Sequence, residues 1–346
     1  MSLAHQLFKH PAPAPAHRPG RPTTTIAPTW SQFFTSSRDI PVPASQGTFR
    51  VFEVPPSSAS SPTSSKAPLF VLHHGAGHTA LSWALAVGKL RERVGNVGVV
   101  GFDCRGHGVT TTQDDTDLSL DTLAADLVNL LDVLYPDAIP EVILVGHSMG
   151  GAVVTEAALT GKVRNLLAVA VLDVVEGTAV DSLAHMEIYL RNRPSHFRSI
   201  DQAVEWSVTI GGLRNLSSAL ISVPPQLVEV PGDGDTEGAK KWVWRTDLGR
   251  SQKHWHGWFQ GLSANFLSIK AARMLILAGT DRLDTALTIG QMQGKFQLVL
   301  YPESGHAIQE DEPDKLATTL ADLWQRNGPG KIIKRFPIPP LKPGTK

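Results

Sequence analysis

Six short apolar runs, LFVLHH, VGVVGFD, VILVGHS, LLAVAVLDV, RMLILAGTD and FQLVLYP, recur from residue 69 onward with longer, helix-patterned stretches between them. Each run is continuously apolar rather than alternating, as strands buried on both faces must be. Strands of that kind separated by helices predict an α/β protein with a mostly parallel sheet between helical layers. In such sheets the functional groups collect at the carboxyl ends of the strands. Polar residues stand at those ends here: His73-His74-Gly75-Ala76-Gly77, Asp103-Cys104-Arg105-Gly106-His107-Gly108, Ser148, Asp173, Asp281 and Ser304-Gly305-His306.

One of these ends has a specific form. Gly146-His147-Ser148-Met149-Gly150 joins the apolar run Ile143 to Val145 to the helix-like MGGAVVTEAALTGK, closed by Gly161. G-x-S-x-G at a strand-to-helix turn is a nucleophile elbow: the serine sits on a sharp turn, and its neighbours must be small enough for close backbone approach. A serine hydroxyl is a weak nucleophile near neutral pH, so it needs an imidazole to accept its proton and a carboxylate to hold that imidazole. In α/β-hydrolases these follow in the order Ser, acid, His, and His306 stands after the last strand, where the base is expected. His147 is expected to pack under the turn, and His107 to be structural. Two acids compete: Asp281 in LAGTDRLD and Asp173 in AVLDVVEG each end a strand, and local sequence leaves them even. For the oxyanion, the HGAG turn offers the backbone N–H of Ala76 to pair with that of Met149.

Other chemistries lack support. The 32 Lys and Arg match the 32 Asp and Glu, so no net basic field draws in nucleic acid, and no nucleic-acid partner is expected. No His, Cys, Asp and Glu cluster has metal-ligand spacing, and G-A-G-H-T-A lacks the third glycine of a dinucleotide site, so no metal and no cofactor are expected. No apolar run approaches the roughly 18 residues that span a bilayer, so no membrane association is expected. The single cysteine, Cys104, cannot form an internal disulfide, which favours a reducing compartment, the cytoplasm with the nucleus open. Residues 1–29 are basic and superficially suit a mitochondrial presequence, but their prolines oppose the amphipathic helix such a signal needs.

The expected organisation is a proline-rich arm over 1–29, a hydrolase domain over 30–326 and a basic proline-rich tail over 327–346. Within the domain, RDIPVPASQGTFRVFEVP predicts two strands with a turn at Gly47, and PPSSASSPTSSK a surface loop. Residues 177–265 break the strand alternation with helical, aromatic-rich sequence and predict a cap over the site. Trp255, Trp258 and Phe259 are expected in the core of that cap, and VPGDGDTEGAKK as a turn-rich insert in it.

With these motifs in view, the chain resembles the protein phosphatase methylesterases from about Trp30 to about Gln325. The resemblance is carried by HHGAGHTALSW, FDCRGHG, GHSMGGA, LDVVEGTA, LRNRP, EWSV, WFQGLS, LAGTDRLD and LTIGQMQGKFQ; DVVEGTA and TIGQMQGKFQ are its most specific parts. It implies an α/β-hydrolase fold, and a serine esterase that removes the methyl ester from the C-terminal leucine of the protein phosphatase 2A catalytic subunit without a cofactor. It also implies Asp173 as the acid, with Asp281 the runner-up, and a capacity to bind and hold that phosphatase separately from hydrolysis. Two departures stand out: Ala76 replaces a glycine common in relatives, and the cap insert is short where relatives can carry a longer acidic loop. The alternatives are a generic small-ester or carbon-carbon hydrolase of the same fold, and a non-catalytic phosphatase-binding protein.

Overall fold

The computed structural model describes residues 28–56, 67–232, 240–279 and 283–328. Residues 57–66 of the loop expected over PPSSASSPTSSK, and nearly all of both expected terminal segments, lie outside them. The strands are β1 (Ser36–Val42), β2 (Gly47–Val54), β3 (Pro68–His73), β4 (Gly98–Phe102), β5 (Thr111–Thr112), β6 (Glu141–His147), β7 (Leu166–Leu172), β8 (Leu227–Pro231), β9 (Lys240–Trp244), β10 (Ala272–Leu277) and β11 (Gln297–Leu300). The main sheet runs β1-β2-β4-β3-β6-β7-β10-β11, with β5 beside β2. From β4 to β11 the neighbours are parallel, and β1, β2 and β5 form its antiparallel margin.

The helices are α1 (Ala84–Val94), α2 (Leu120–Leu134), α3 (Met149–Leu159), α4 (Glu176–Asn192), α5 (Ile200–Thr209), α6 (Leu216–Ser222), α7 (Gln252–Phe259), α8 (Leu262–Ser268), α9 (Thr285–Met292), α10 (Ile308–Asp311) and α11 (Pro313–Asn327). Side chains alternate across a strand, and the two faces of the sheet feed separate cores. Leu69 and Val71 of β3 join Leu127 of α2, Val153 of α3 and Phe266 of α8. Phe70 and Leu72 join Leu90 of α1 and Leu320 of α11 on the other face. All of β3 is buried, which explains its unbroken apolarity. Truncating a side chain such as Phe70 there costs about 3–5 kcal/mol.

Three expectations need correction. The turn between β1 and β2 lies at Pro43–Ser45, a single 3₁₀ turn closed by Gln46 at φ 50°. Gly47 instead opens β2 opposite Val42, and a Cβ there would stand 2.8 Å from the Thr111 oxygen of β5. Second, the stretch between β7 and β10 is not wholly helical, because β8 and β9 pair as an antiparallel hairpin across the turn-rich insert, of which residues 233–239 lie outside the described residues. Third, Trp255, Trp258 and Phe259 pack into the main core rather than a core of a cap. Trp258 Nε1 donates to the Leu118 oxygen, tying α7 to the body. The separate cluster in this region is Phe197, Ala203, Val204, Ala219, Val223 and Leu227.

Candidate active site

β6 delivers its last residue, His147, into a turn whose apex is Ser148, at φ 52° and ψ −120°. Such angles cost a non-glycine residue about 1–3 kcal/mol and persist only where surroundings enforce them. Here the Ser148 amide donates to the Leu172 oxygen at 2.9 Å, and the Gly151 amide donates to the Ser148 oxygen at 2.8 Å. The glycines supply room: a Cβ on Gly146 would strike the Gly150 carbonyl, and one on Gly150 the carbonyls of His73 and His74. His147 and Met149 are buried, while Ser148 between them is partly exposed.

Asp173 immediately follows β7, fully buried and itself at φ 51°. Its amide donates to the Ile276 oxygen at 2.8 Å, and its Oδ1 accepts from the Ala278 amide at 2.8 Å. The other carboxylate oxygen, Oδ2, lies 2.7 Å from His306 Nδ1. With Nδ1–H directed at the carboxylate, His306 presents Nε2 as an acceptor on a partly exposed ring. The structure thus brings Asp173 and His306 together, whereas Asp281 lies outside the described residues.

The HGAG turn packs against Ser148. A Cβ on Gly75 would stand 3.3 Å from Ser148 Cβ and 2.8 Å from His147 Nδ1. Ala76, next in the turn, is not among the residues at positive φ, so its methyl group causes no strain. Met149 opens α3, and its amide is one of the N–H groups a helix leaves unpaired at its start.

Around this centre lies a set of buried histidines. His147 Nε2 is 2.9 Å from the His306 backbone oxygen, and Gln309 Nε2 is 3.3 Å from His147 Nδ1. These partners assign His147 the neutral tautomer that donates from Nε2 and accepts at Nδ1. His78 stacks on it, centroids 5.5 Å apart and planes 8° apart. His74 Nε2 accepts from the Cys104 amide at 3.0 Å, and His107 Nε2 from the Gly77 amide at 2.9 Å, so both hold loops. Burial pushes His73 and His107 down to about 4 and His78 to about 3, and holds His74 and His147 well below the usual imidazole range. Burial conversely raises Asp103 to about 6; its carboxylate accepts from the Ala80 amide at 2.8 Å and so organises the same turn.

Sequence reasoning did not single out Gln309, Asp311 or Arg214. Asp311 accepts from the amides of Gly305 and Arg214, both at 2.7 Å, clamping the His306 loop to the segment before α6. Nothing in the local pattern marks these residues, because each acts on a partner distant in sequence. Among the described residues no group of three metal-ligating side chains occurs, and no helix is long and apolar enough to cross a membrane.

The sequence matches the alpha/beta hydrolase family over residues 70–319. In fold the chain is similar to E-2-(acetamidomethylene)succinate hydrolase, with a TM-score of 0.66 at 18% identity over 84% of this chain and 99% of that one. Protein phosphatase methylesterase 1 of Gibberella zeae is 48% identical over 270 residues, spanning 76% of this chain and 66% of that protein. The mouse (Mus musculus) protein of the same name is 40% identical over 346 aligned positions, 89% of this chain and 87% of the mouse protein. The chain therefore belongs to the α/β-hydrolases and, within them, to the protein phosphatase methylesterase family of carboxylic ester hydrolases.

Proposed function

We propose that this protein hydrolyses the C-terminal leucine methyl ester of the protein phosphatase 2A catalytic subunit, its macromolecular partner, through Ser148, His306 and Asp173. The observation that carries the reading is the 2.7 Å contact between His306 Nδ1 and the buried Asp173 carboxylate, with the His306 backbone oxygen bonded to His147, the residue before Ser148. His306 Nε2 takes the Ser148 proton as Oγ attacks the ester carbonyl, and the oxyanion is met by the amides of Ala76 and Met149. Each such donor contributes about 10²–10³-fold in rate. His306 then passes the proton to the departing methoxy oxygen, methanol leaves and an acyl-enzyme remains. Water attacks it by the same route in reverse, freeing the carboxylate and restoring Ser148.

Asp173 stays ionised throughout, stabilising the imidazolium that forms in each half-reaction. The names of the relatives supply the substrate class, and the DVVEGTA and TIGQMQGKFQ segments support it over a small-ester hydrolase. The test is to incubate the protein with carboxymethylated phosphatase catalytic subunit and follow methyl loss. Release by the wild type and not by Ser148→Ala supports the reading; methyl retained under the wild type contradicts it.

A further inference from the structure

A cavity of about 580 Å³ opens between the end of α4, β9 and the turn leading into α7. Leu190, Val243, Trp244 and Trp255 give it apolar walls, and Leu248 closes the side toward the catalytic centre. A Cβ on Gly77 would stand 2.9 Å from Leu248 Cδ1, so the cavity abuts the turn that carries Ala76.

Its charged lining is unevenly matched. Glu187 is engaged by Gln252 at 2.5 Å and Arg191 at 3.8 Å, and Asp247 by the Gly249 amide at 3.0 Å and Arg250 at 3.2 Å. Arg193 has no ion pair among the described residues, and its Nε is buried without a hydrogen-bond partner. Its guanidinium lies 3.4 Å from the centroid of the Trp244 ring, which Trp244 Nε1 anchors by donating to the Pro194 oxygen at 2.7 Å. Burial lowers Arg193 to about 10, so it stays charged at neutral pH. Stacking on an aromatic face leaves the planar edge of a guanidinium free, and that edge suits a carboxylate. Arg193 is partly exposed with its Nε buried, so an arriving carboxylate reaches the open edge of the guanidinium and supplies the missing anion.

We propose that this cavity is the subsite for the stretch of polypeptide just before the methyl ester, and that Arg193 there receives the carboxylate of an acidic side chain of the substrate. The inference rests on the proposed esterase function. The carboxyl group freed by hydrolysis is formed at Ser148, which does not line the cavity, so the anion at Arg193 must come from a side chain upstream.

The test uses short peptides ending in leucine methyl ester, with one Glu placed in turn at each of the four positions before the leucine, and a Gln counterpart for each. The ratio of kcat/KM for Glu over Gln is measured with wild type and with Arg193→Gln, demethylation of the folded phosphatase being followed in parallel. At one position or more the wild-type ratio should reach about tenfold and fall to about one in the variant. Because the ratio is internal to each enzyme, a general loss of activity cancels. A wild-type ratio near one at all four positions, a preference that survives in Arg193→Gln, or peptides that are not turned over while the folded phosphatase is demethylated each overturn the subsite alone. Methyl retained on the folded phosphatase overturns the esterase reading and the subsite with it.

Discussion

His147 Nε2 lies 2.9 Å from the backbone oxygen of His306, so the residue before Ser148 also holds the loop that carries His306. His147→Phe keeps an aromatic ring but loses this bond and the one from Gln309. Misplacing a catalytic group by about 1 Å costs about 10²-fold, so kcat on a small aryl acetate should fall by about that factor. An unchanged kcat would mean that the link is incidental.

Ser148→Ala should abolish ester hydrolysis while leaving the fold intact, since the change removes one oxygen from a partly exposed residue. A fluorophosphonate probe reports this directly: it should label the wild type and leave the variant unlabelled. Labelling that persists in Ser148→Ala places the nucleophile elsewhere.

Asp173→Asn should lower kcat by about 10⁴-fold, because an amide opposite Nδ1 favours the wrong imidazole tautomer. Asp281→Asn should lower it far less. Steady-state kinetics of the two variants decide between the acids, and a larger loss at Asp281 reverses the assignment.

Stability should fall as pH drops from 7 to 5. His73, His74, His78, His107 and His147 are all depressed by burial, to about 4, 3 and 4 at His73, His78 and His107. Unfolded, each titrates near 6.5, so below that value the unfolded chain binds more protons and stability declines. The contribution is complete above about 6.5 and is lost as pH falls toward the folded values. Asp103, raised to about 6, and Glu310, raised to about 8, act the opposite way, since their contribution is lost as pH rises through those values. The histidines outnumber them, so the melting temperature at pH 5 should lie several degrees below that at pH 7. An equal or higher value at pH 5 would show that the acids dominate.

What could be read from the sequence follows from how local each constraint is. The strands inside the sheet were legible because burial on both faces forces continuous apolarity, as in β3, while β11 at the edge is apolar but only partly buried. Ser148 was legible because its turn demands small neighbours at 146 and 150, where any Cβ meets backbone. The acid was not, since Asp173 and Asp281 each follow an apolar run in the sequence; the meeting of Asp173 with His306, 133 residues away, is visible only in the fold, and Asp281 lies outside the described residues. The β8–β9 hairpin was hidden because LVEVP and KKWVW are only five residues each and are set apart by a turn-rich insert within a largely helical stretch. Aromatic spacing in α7 marked a buried face but not which body it packs on, and Trp258 proved to belong to the main core.

The central claim is that the folded, methylated phosphatase is the substrate, and a comparison of kcat/KM tests it most directly. Binding energy from parts of a substrate remote from the ester can position the reacting carbonyl, so truncation should lower kcat as well as affinity. Under one buffer and salt, the folded phosphatase should exceed a short peptide bearing the same C-terminal leucine methyl ester by at least about 100-fold, or about 2.7 kcal/mol. Comparable values for the two, or a small aryl acetate preferred over both, would contradict the account.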